Sequence, residues 1–177
     1  LGVCNGFQAL TKMGLLPNIG GTCEQEVSLT TNNSGRFEDR WCRLSAGAKK
    51  FSPFLKGVDM IELPSRHGEG RLVFKDRKIR ERVLEMGLNC LSYVDEDGAP
   101  TALYPANPNG SDANCAALCD MTGQVLGIMP HPEAYLSLYN HPNWGQLKRQ
   151  DTAKTADGEG LKIFKNIVEH LKGKKTK

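Results

Sequence analysis

The chain has 177 residues, 39% hydrophobic and 24% charged, with a net charge of +3. That length suits one domain spanning 1–177 with a real core, and the composition is ordinary for a globular protein rather than a small cysteine-dense scaffold. No apolar run is long enough to span a membrane and no signal-peptide pattern opens the chain, so a cytoplasmic protein without membrane or nucleic-acid partners is expected.

Leu1-Gly2-Val3 reads as the end of a strand. A strand that feeds a tight turn should be longer and central, so the sequence is expected to be the C-terminal portion of a larger domain. Gly2-Val3-Cys4-Asn5-Gly6 follows, with the form Gly-x-nucleophile-x-Gly, a strand running through a sharp turn into a helix. Cys4 on such a turn has strained backbone, and side chains at the flanking glycines would collide with strand and helix. The helix N-terminus favours a thiolate. Cys4 is therefore expected to react with alkylating agents ahead of the other five cysteines.

Phe7, Leu10 and Met13 recur at helical spacing until Gly14 and Pro17. Residues 18–21 read as a loop. Residues 26–30 and 37–44 read as strands around the turn-rich Thr31-Asn32-Asn33-Ser34-Gly35. Residues 45–53 read as loop, 59–63 as a short strand ending at Pro64, and 72–74 as another. Asp76 caps a helix through Met86, with Ile79, Val83 and Met86 on one face and Gly87 at its end. Residues 88–94 read as a strand and 95–100 as a turn. A hairpin is expected from 116–119 and 124–129 around Asp120-Met121-Thr122-Gly123. The polar, basic stretch 140–157 reads as loop. Leu161, Phe164, Ile167, Val168 and Leu171 mark the apolar face of a closing helix, and 173–177 form a basic solvated tail. Strands mixed with helices, and a nucleophile on a strand–helix turn, give an α/β class with a central sheet.

The hairpin's second arm delivers Met129-Pro130-His131-Pro132-Glu133. An imidazole and a carboxylate two residues apart suit a base and the group that orients it, so Cys4, His131 and Glu133 together have the parts of a nucleophile, base and orienter. The backbone N–H of Asn5, the residue after the nucleophile, is the expected oxyanion donor. His141 lacks a following carboxylate and reads as a loop residue; His170 reads as surface. Cys115 and Cys119 are four apart without zinc-type spacing, so no metal site is expected. The six cysteines are read as reduced thiols.

Five ordered words carry a resemblance over nearly the whole chain: Val3-Cys4-Asn5-Gly6-Phe7-Gln8-Ala9-Leu10, Asn33-Ser34-Gly35-Arg36-Phe37-Glu38, His67-Gly68-Glu69-Gly70-Arg71, Tyr104-Pro105-Ala106-Asn107-Pro108-Asn109-Gly110-Ser111 and Gly127-Ile128-Met129-Pro130-His131-Pro132-Glu133. The chain resembles the class I glutamine amidotransferases, and within them the glutaminase subunits of phosphoribosylformylglycinamidine synthases. The resemblance implies a flavodoxin-like three-layer fold whose N-terminal strands and helices precede this sequence, together with a glycine-rich loop bearing a second oxyanion donor. It implies hydrolysis of the glutamine side-chain amide through a Cys4 thioester. Gln8 and the turn Ser34, Gly35, Arg36 and Phe37 would bind the substrate. His67, Glu69 and Arg71, and Asn107, Asn109 and Ser111, would lie at the site rim or against a partner. No cofactor is expected on this chain. The implied partner is a large synthetase subunit that uses ATP and Mg, often with a small third subunit. Another class I amidotransferase, a related cysteine hydrolase and an inactive interaction module remain open readings of the same residues.

Overall fold

The structure, a computed structural model, describes residues 1–47, 52–150 and 156–174. Parts of the stretches read as loops over 45–53 and 140–157, and most of the basic tail, lie outside the described residues. In chain order the elements are β1 (Gly2–Val3), α1 (Asn5–Lys12), β2 (Val27–Thr30), β3 (Glu38–Ala46), β4 (Met60–His67), β5 (Arg71–Phe74), α2 (Arg77–Met86), β6 (Asn89–Tyr93), β7 (Cys115–Cys119), β8 (Leu126–Ile128), α3 (Trp144–Gln150) and α4 (Leu161–Lys174). Six strands form one sheet in the order β1-β8-β7-β6-β3-β4, while β2 and β5 pair as a separate antiparallel ribbon. Among the described residues, β1 and β8 alone run parallel, and the other pairs in the main sheet are antiparallel.

Local chemistry explains most of these elements. The Asp76 carboxylate accepts from the Ile79 N–H at 2.8 Å and starts α2, and Gly87 ends it in the left-handed conformation at φ 71°. The expected hairpin joins β7 to β8, with the Asp120 side chain accepting from the Val125 N–H at 2.9 Å. β7 is buried at every position, which its Cys-Ala-Ala-Leu-Cys run of small and apolar side chains permits.

The sheet curls strongly. β1 and β4 stand at opposite ends of the strand order, yet Cys4 Sγ, just beyond β1, lies 4.0 Å from the Arg66 carbonyl oxygen in β4. α1 packs at short range on the β1–β8 pair. A Cβ on Gly2 would sit 2.6 Å from the Gly6 carbonyl oxygen, and one on Gly127 would sit 2.1 Å from Phe7 Cδ2. Gly2 and Gly127 are partners in the parallel register, so both lie under α1. A Cβ on Gly6 would meet nothing within 4 Å, so the collision expected there does not exist.

Several expectations are corrected. β4 does not stop at Pro64. It continues to His67, because the Pro64 carbonyl, and with it the nitrogen that lacks a hydrogen, faces away from β3 toward the His131 N–H. Met13 is 62% exposed and takes no part in the packed face of α1. The polar stretch read as loop contains α3, where Trp144 stacks edge-on against Tyr139. In α4 the core face is Ile163 and Asn166, while Val168 and Leu171 are about half exposed at 49% and 54%. The helix is turned that way because the Asn166 amide donates to the Phe54 and Lys56 carbonyls, each at 2.8 Å. His141 is buried, 4.4 Å between ring centroids from Trp41, and His170 is half-buried rather than a free surface residue.

The two glycines make a direct test. Gly127→Ala should lower stability by roughly 1–3 kcal/mol through overpacking. Gly6→Ala should be neutral or stabilising by up to about 1 kcal/mol. Urea-melt midpoints of both variants check the contrast, which fails if Gly6→Ala is the more damaging.

Candidate active site

Cys4 sits at φ 51° and ψ −105°, outside the ordinary allowed regions, as the residue that caps α1. Two backbone bonds hold it there. Its N–H donates to the Ile128 carbonyl at 2.9 Å, and its carbonyl accepts from the Gln8 N–H at 3.1 Å. The strand pairing thus continues one residue past β1 and the helix begins one residue later, leaving the side chain at the corner. Burial pushes the thiol above its ordinary range; the Asn5 N–H beside the sulfur opposes this, and the Glu133 charge adds to it. Desolvation leads over the Asn5 N–H, a direction opposite to the thiolate expected at the helix N-terminus.

His131 follows β8 on the chain but is fixed by β4. Its N–H donates to the Pro64 carbonyl at 2.7 Å. The 3₁₀ turn Pro132–Ala134 then folds Glu133 back, so that its carboxylate lies 2.5 Å from His131 Nδ1. An ionised carboxylate can only accept, so Nδ1 carries the hydrogen and Nε2 presents a lone pair. Nε2 is buried and has no hydrogen-bond partner. Cys4 Sγ lies 4.0 Å from the Arg66 carbonyl, two residues along β4 from the Pro64 carbonyl that holds His131, so both meet the same stretch of strand.

Cys4 opens into a pocket of about 330 Å³, lined by Asn5 and Gln8 from α1, by Phe37, and by residues 66–69. The Gln8 side-chain amide donates to the Glu69 carbonyl at 2.9 Å and so ties α1 to this loop. Phe37, 68% exposed, stands at the mouth, with Glu69 also exposed. A larger cavity of about 680 Å³ beside α4 is lined by neither Cys4 nor His131.

The remaining expected residues divide. Ser34 and Arg36 line a neighbouring pocket of about 390 Å³ with the buried Glu38, and of their turn only Phe37 reaches the Cys4 pocket. The Glu38 carboxyl lies below its ordinary range, because the Ser34 hydroxyl, Arg40 and Arg36 outweigh the upward push of burial. His67 is not a rim residue: it is 3% exposed and lines the Cys4 pocket. Asn109 and Ser111 are also buried rather than at a rim, and Asn107 forms the floor of the second pocket. They are inward because they replace missing backbone pairing. Asn109 accepts through Oδ1 from the Ser111 N–H at 3.0 Å, and its own carbonyl accepts from the Asn33 N–H at 3.0 Å. Ser111 Oγ accepts from the Leu72 N–H at 3.0 Å. Arg71 is half-buried in β5, paired with Thr30.

Asn32 was not singled out in the sequence, and it organises this side of the pocket. Its Nδ2 donates to the Arg36 and His67 carbonyls at 2.9 and 2.8 Å, while its Oδ1 accepts from the Gly70 N–H at 3.0 Å and faces His67 Nδ1 at 3.1 Å. A buried asparagine in a turn-rich segment gives no periodic signal; only its neighbour in the sequence, the Asn33–Phe37 word, pointed to the region.

Fold and elbow together define a class I glutamine amidotransferase domain. The chain belongs to the CobB/CobQ-like glutamine amidotransferase domain family, whose profile matches residues 1–171. It is 40% identical over 172 residues to the phosphoribosylformylglycinamidine synthase subunit PurQ of Dehalococcoides mccartyi, covering 96% of this chain and 62% of that protein. The subunit of the same name from Archaeoglobus fulgidus is 37% identical over 180 residues, covering 97% and 62%. Among solved structures, PurLQS from Thermotoga maritima aligns with a TM-score of 0.62 at 30% identity, over 96% of this chain and 60% of that one. The chain thus spans about three fifths of the length of these relatives.

Thiol burial sets an order of alkylation in the full-length protein. Cys4, half-buried, and Cys23, exposed, should be labelled by iodoacetamide, and the buried Cys42, Cys90, Cys115 and Cys119 should be protected. Burial also pushes Cys42 up to about 11 and Cys115 far above the usual range. Because its thiol is raised from 9.0, the Cys4 rate should still be climbing at pH 9. Peptide mapping across a pH series reads both outcomes; equal labelling of Cys4 and Cys115 would contradict them.

Proposed function

We propose that this chain hydrolyses the side-chain amide of glutamine through a thioester on Cys4. The ammonia released passes to an ATP- and Mg-dependent synthetase subunit that converts formylglycinamide ribonucleotide to formylglycinamidine ribonucleotide in purine synthesis. The observation that carries the reaction is the His131 ring: Nδ1 is committed to Glu133, and Nε2 is buried and unpartnered, while the Cys4 thiol is pushed toward its neutral form. The names borne by the similar subunits support the destination of the ammonia.

The reaction runs in two halves. His131 Nε2 takes the Cys4 proton as the sulfur attacks the amide carbon. The oxyanion accepts from the Asn5 N–H. The imidazolium returns its proton to the amide nitrogen, the C–N bond breaks, and ammonia leaves a thioester. Water then gives a proton to Nε2 while its oxygen attacks the thioester; the C–S bond breaks, and the proton returns to sulfur as glutamate departs. Glu133 holds the productive tautomer and stabilises the imidazolium. Ser34, Gly35 and Arg36 belong to this proposal as the holders of the amino-acid end, acting from the pocket beside Phe37. The synthetase, and in some assemblies a small third subunit, would cover the mouth. This chain needs no cofactor for its half of the reaction.

Cys4→Ala in the assembled enzyme should abolish glutamine-dependent synthesis and leave synthesis from added ammonia intact. Substantial glutamine use by this variant would remove Cys4 from the mechanism. His131→Ala should cost roughly 10²–10⁴-fold in glutaminase rate, and Glu133→Gln less, since the ring still visits the right tautomer. Wild-type rates in both would end the triad assignment.

A further inference from the structure

His67 lines the Cys4 pocket, and the reaction above does not use it. Its environment fixes its chemistry. The Asn32 amide is oriented by two carbonyls, those of Arg36 and His67, which only its NH₂ can satisfy. Its oxygen therefore faces His67 Nδ1 at 3.1 Å and must accept, so Nδ1 carries the hydrogen and Nε2 is an acceptor. The ring is clamped as well as oriented: a Cβ on Gly70 would sit 2.3 Å from His67 Cε1. Burial, and then the His131 charge, push the His67 imidazole down to about 4, so it is neutral at physiological pH. His131 is also tied to the end of β4 that carries His67, through the bond from its N–H to the Pro64 carbonyl.

His67 Nε2 is buried and has no partner, as is His131 Nε2. A buried acceptor without a donor carries a desolvation cost unless a ligand completes it. His67 lines the Cys4 pocket, so its orphaned nitrogen calls for a ligand atom with a hydrogen to donate. Of the groups on the scissile carbon of glutamine, the leaving nitrogen has hydrogens to spare. It receives one from His131 and still bears two N–H bonds. The side-chain carboxylate of the glutamate product has none.

Resting on the amidase reading above, we propose that His67 Nε2 accepts a hydrogen bond from the substrate amide N–H and keeps it as ammonia departs, so that His67 selects the carboxamide and positions the leaving group. His67 transfers no proton. It orients the nitrogen so that its lone pair, which develops as the carbonyl carbon becomes tetrahedral, faces His131. It also presents a lone pair to any carboxylate oxygen in the same place, which disfavours glutamate.

The test compares glutamine with the γ-methyl ester of glutamate in the full-length protein carrying this sequence. Both substrates form the same thioester, but the ester's leaving oxygen has no hydrogen apart from the one His131 supplies. kcat/KM reports the steps through thioester formation. In His67→Phe and His67→Leu it should fall roughly 10- to 100-fold for glutamine and stay within about threefold for the ester. The retained ester activity shows that the variants fold. His67→Gln keeps a neutral acceptor, and its amide-to-ester ratio should stay within about threefold of the unmodified protein. Equal losses on both substrates, or a His67→Gln ratio as low as that of His67→Leu, would make His67 structural and overturn the inference. Activity of Cys4→Ala on either substrate would instead overturn the thioester reading, whatever His67 does.

Discussion

The site depends on the outward-facing carbonyls of one strand. β4 closes one end of the described sheet, and its Pro64 and Arg66 carbonyls point away from β3, two residues apart. Strand geometry spaces them by about 7 Å. The first accepts the His131 N–H at 2.7 Å, and the second lies 4.0 Å from Cys4 Sγ. Nucleophile and base lie 127 positions apart in the chain, yet both are measured against the same strand. This works only because the sheet curls until the strand that carries Cys4 meets the strand farthest from it in order. Proline suits the position, since an outward N–H there would have no ladder partner, while its carbonyl remains free to accept.

Desolvation is the second theme, and it acts on each group in the direction of neutrality. The Cys4 thiol is pushed up and the His67 imidazole down. A neutral thiol beside a neutral acceptor avoids the cost of a buried ion pair at rest. In the proposed reaction the charge would come from Glu133, whose carboxylate remains partly exposed, with a side-chain accessibility of 48%, and contacts the imidazole directly. Charge separation would then arise as the sulfur attacks, where the Asn5 N–H and the oriented imidazole would meet it.

Buried asparagines make the walls. Asn32, Asn107 and Asn109 are 3%, 2% and 0% exposed, and their side-chain amides bond to the backbone of Arg36, Gly70, Gly110 and Ser111, which lies outside the strands. Asn109 also reaches the Tyr93 hydroxyl at 3.1 Å, which ties the wall to the core of the sheet. Carboxamides suit this role because each offers both donors and acceptors without a charge. The loops around the pocket are therefore held by polar networks rather than by apolar packing.

The sequence by itself determined the elbow, the His131–Glu133 pair, α2 with its Asp76 cap and Gly87 stop, and the β7–β8 hairpin. Each depends on contacts within a few residues, which local chemistry can encode. The family words added the pocket region as a whole. Only the tertiary structure decided the rest. Whether Pro64 ends a strand depends on which side of β4 faces a partner. Whether Gly6 or Gly127 is the sterically required glycine depends on how closely α1 lies on β8. Which face of α4 is buried depends on the carbonyls that Asn166 finds near Phe54. His67 was expected at the site rim or against a partner, because a histidine between arginine and glycine reads as surface. The curl of the sheet buries it beside Cys4, and Asn32, from a different loop, fixes which of its nitrogens is free. Long-range burial pushes the Cys4 thiol up, a bond to Asn32 from another loop sets the His67 tautomer, and neither leaves a trace in local spacing.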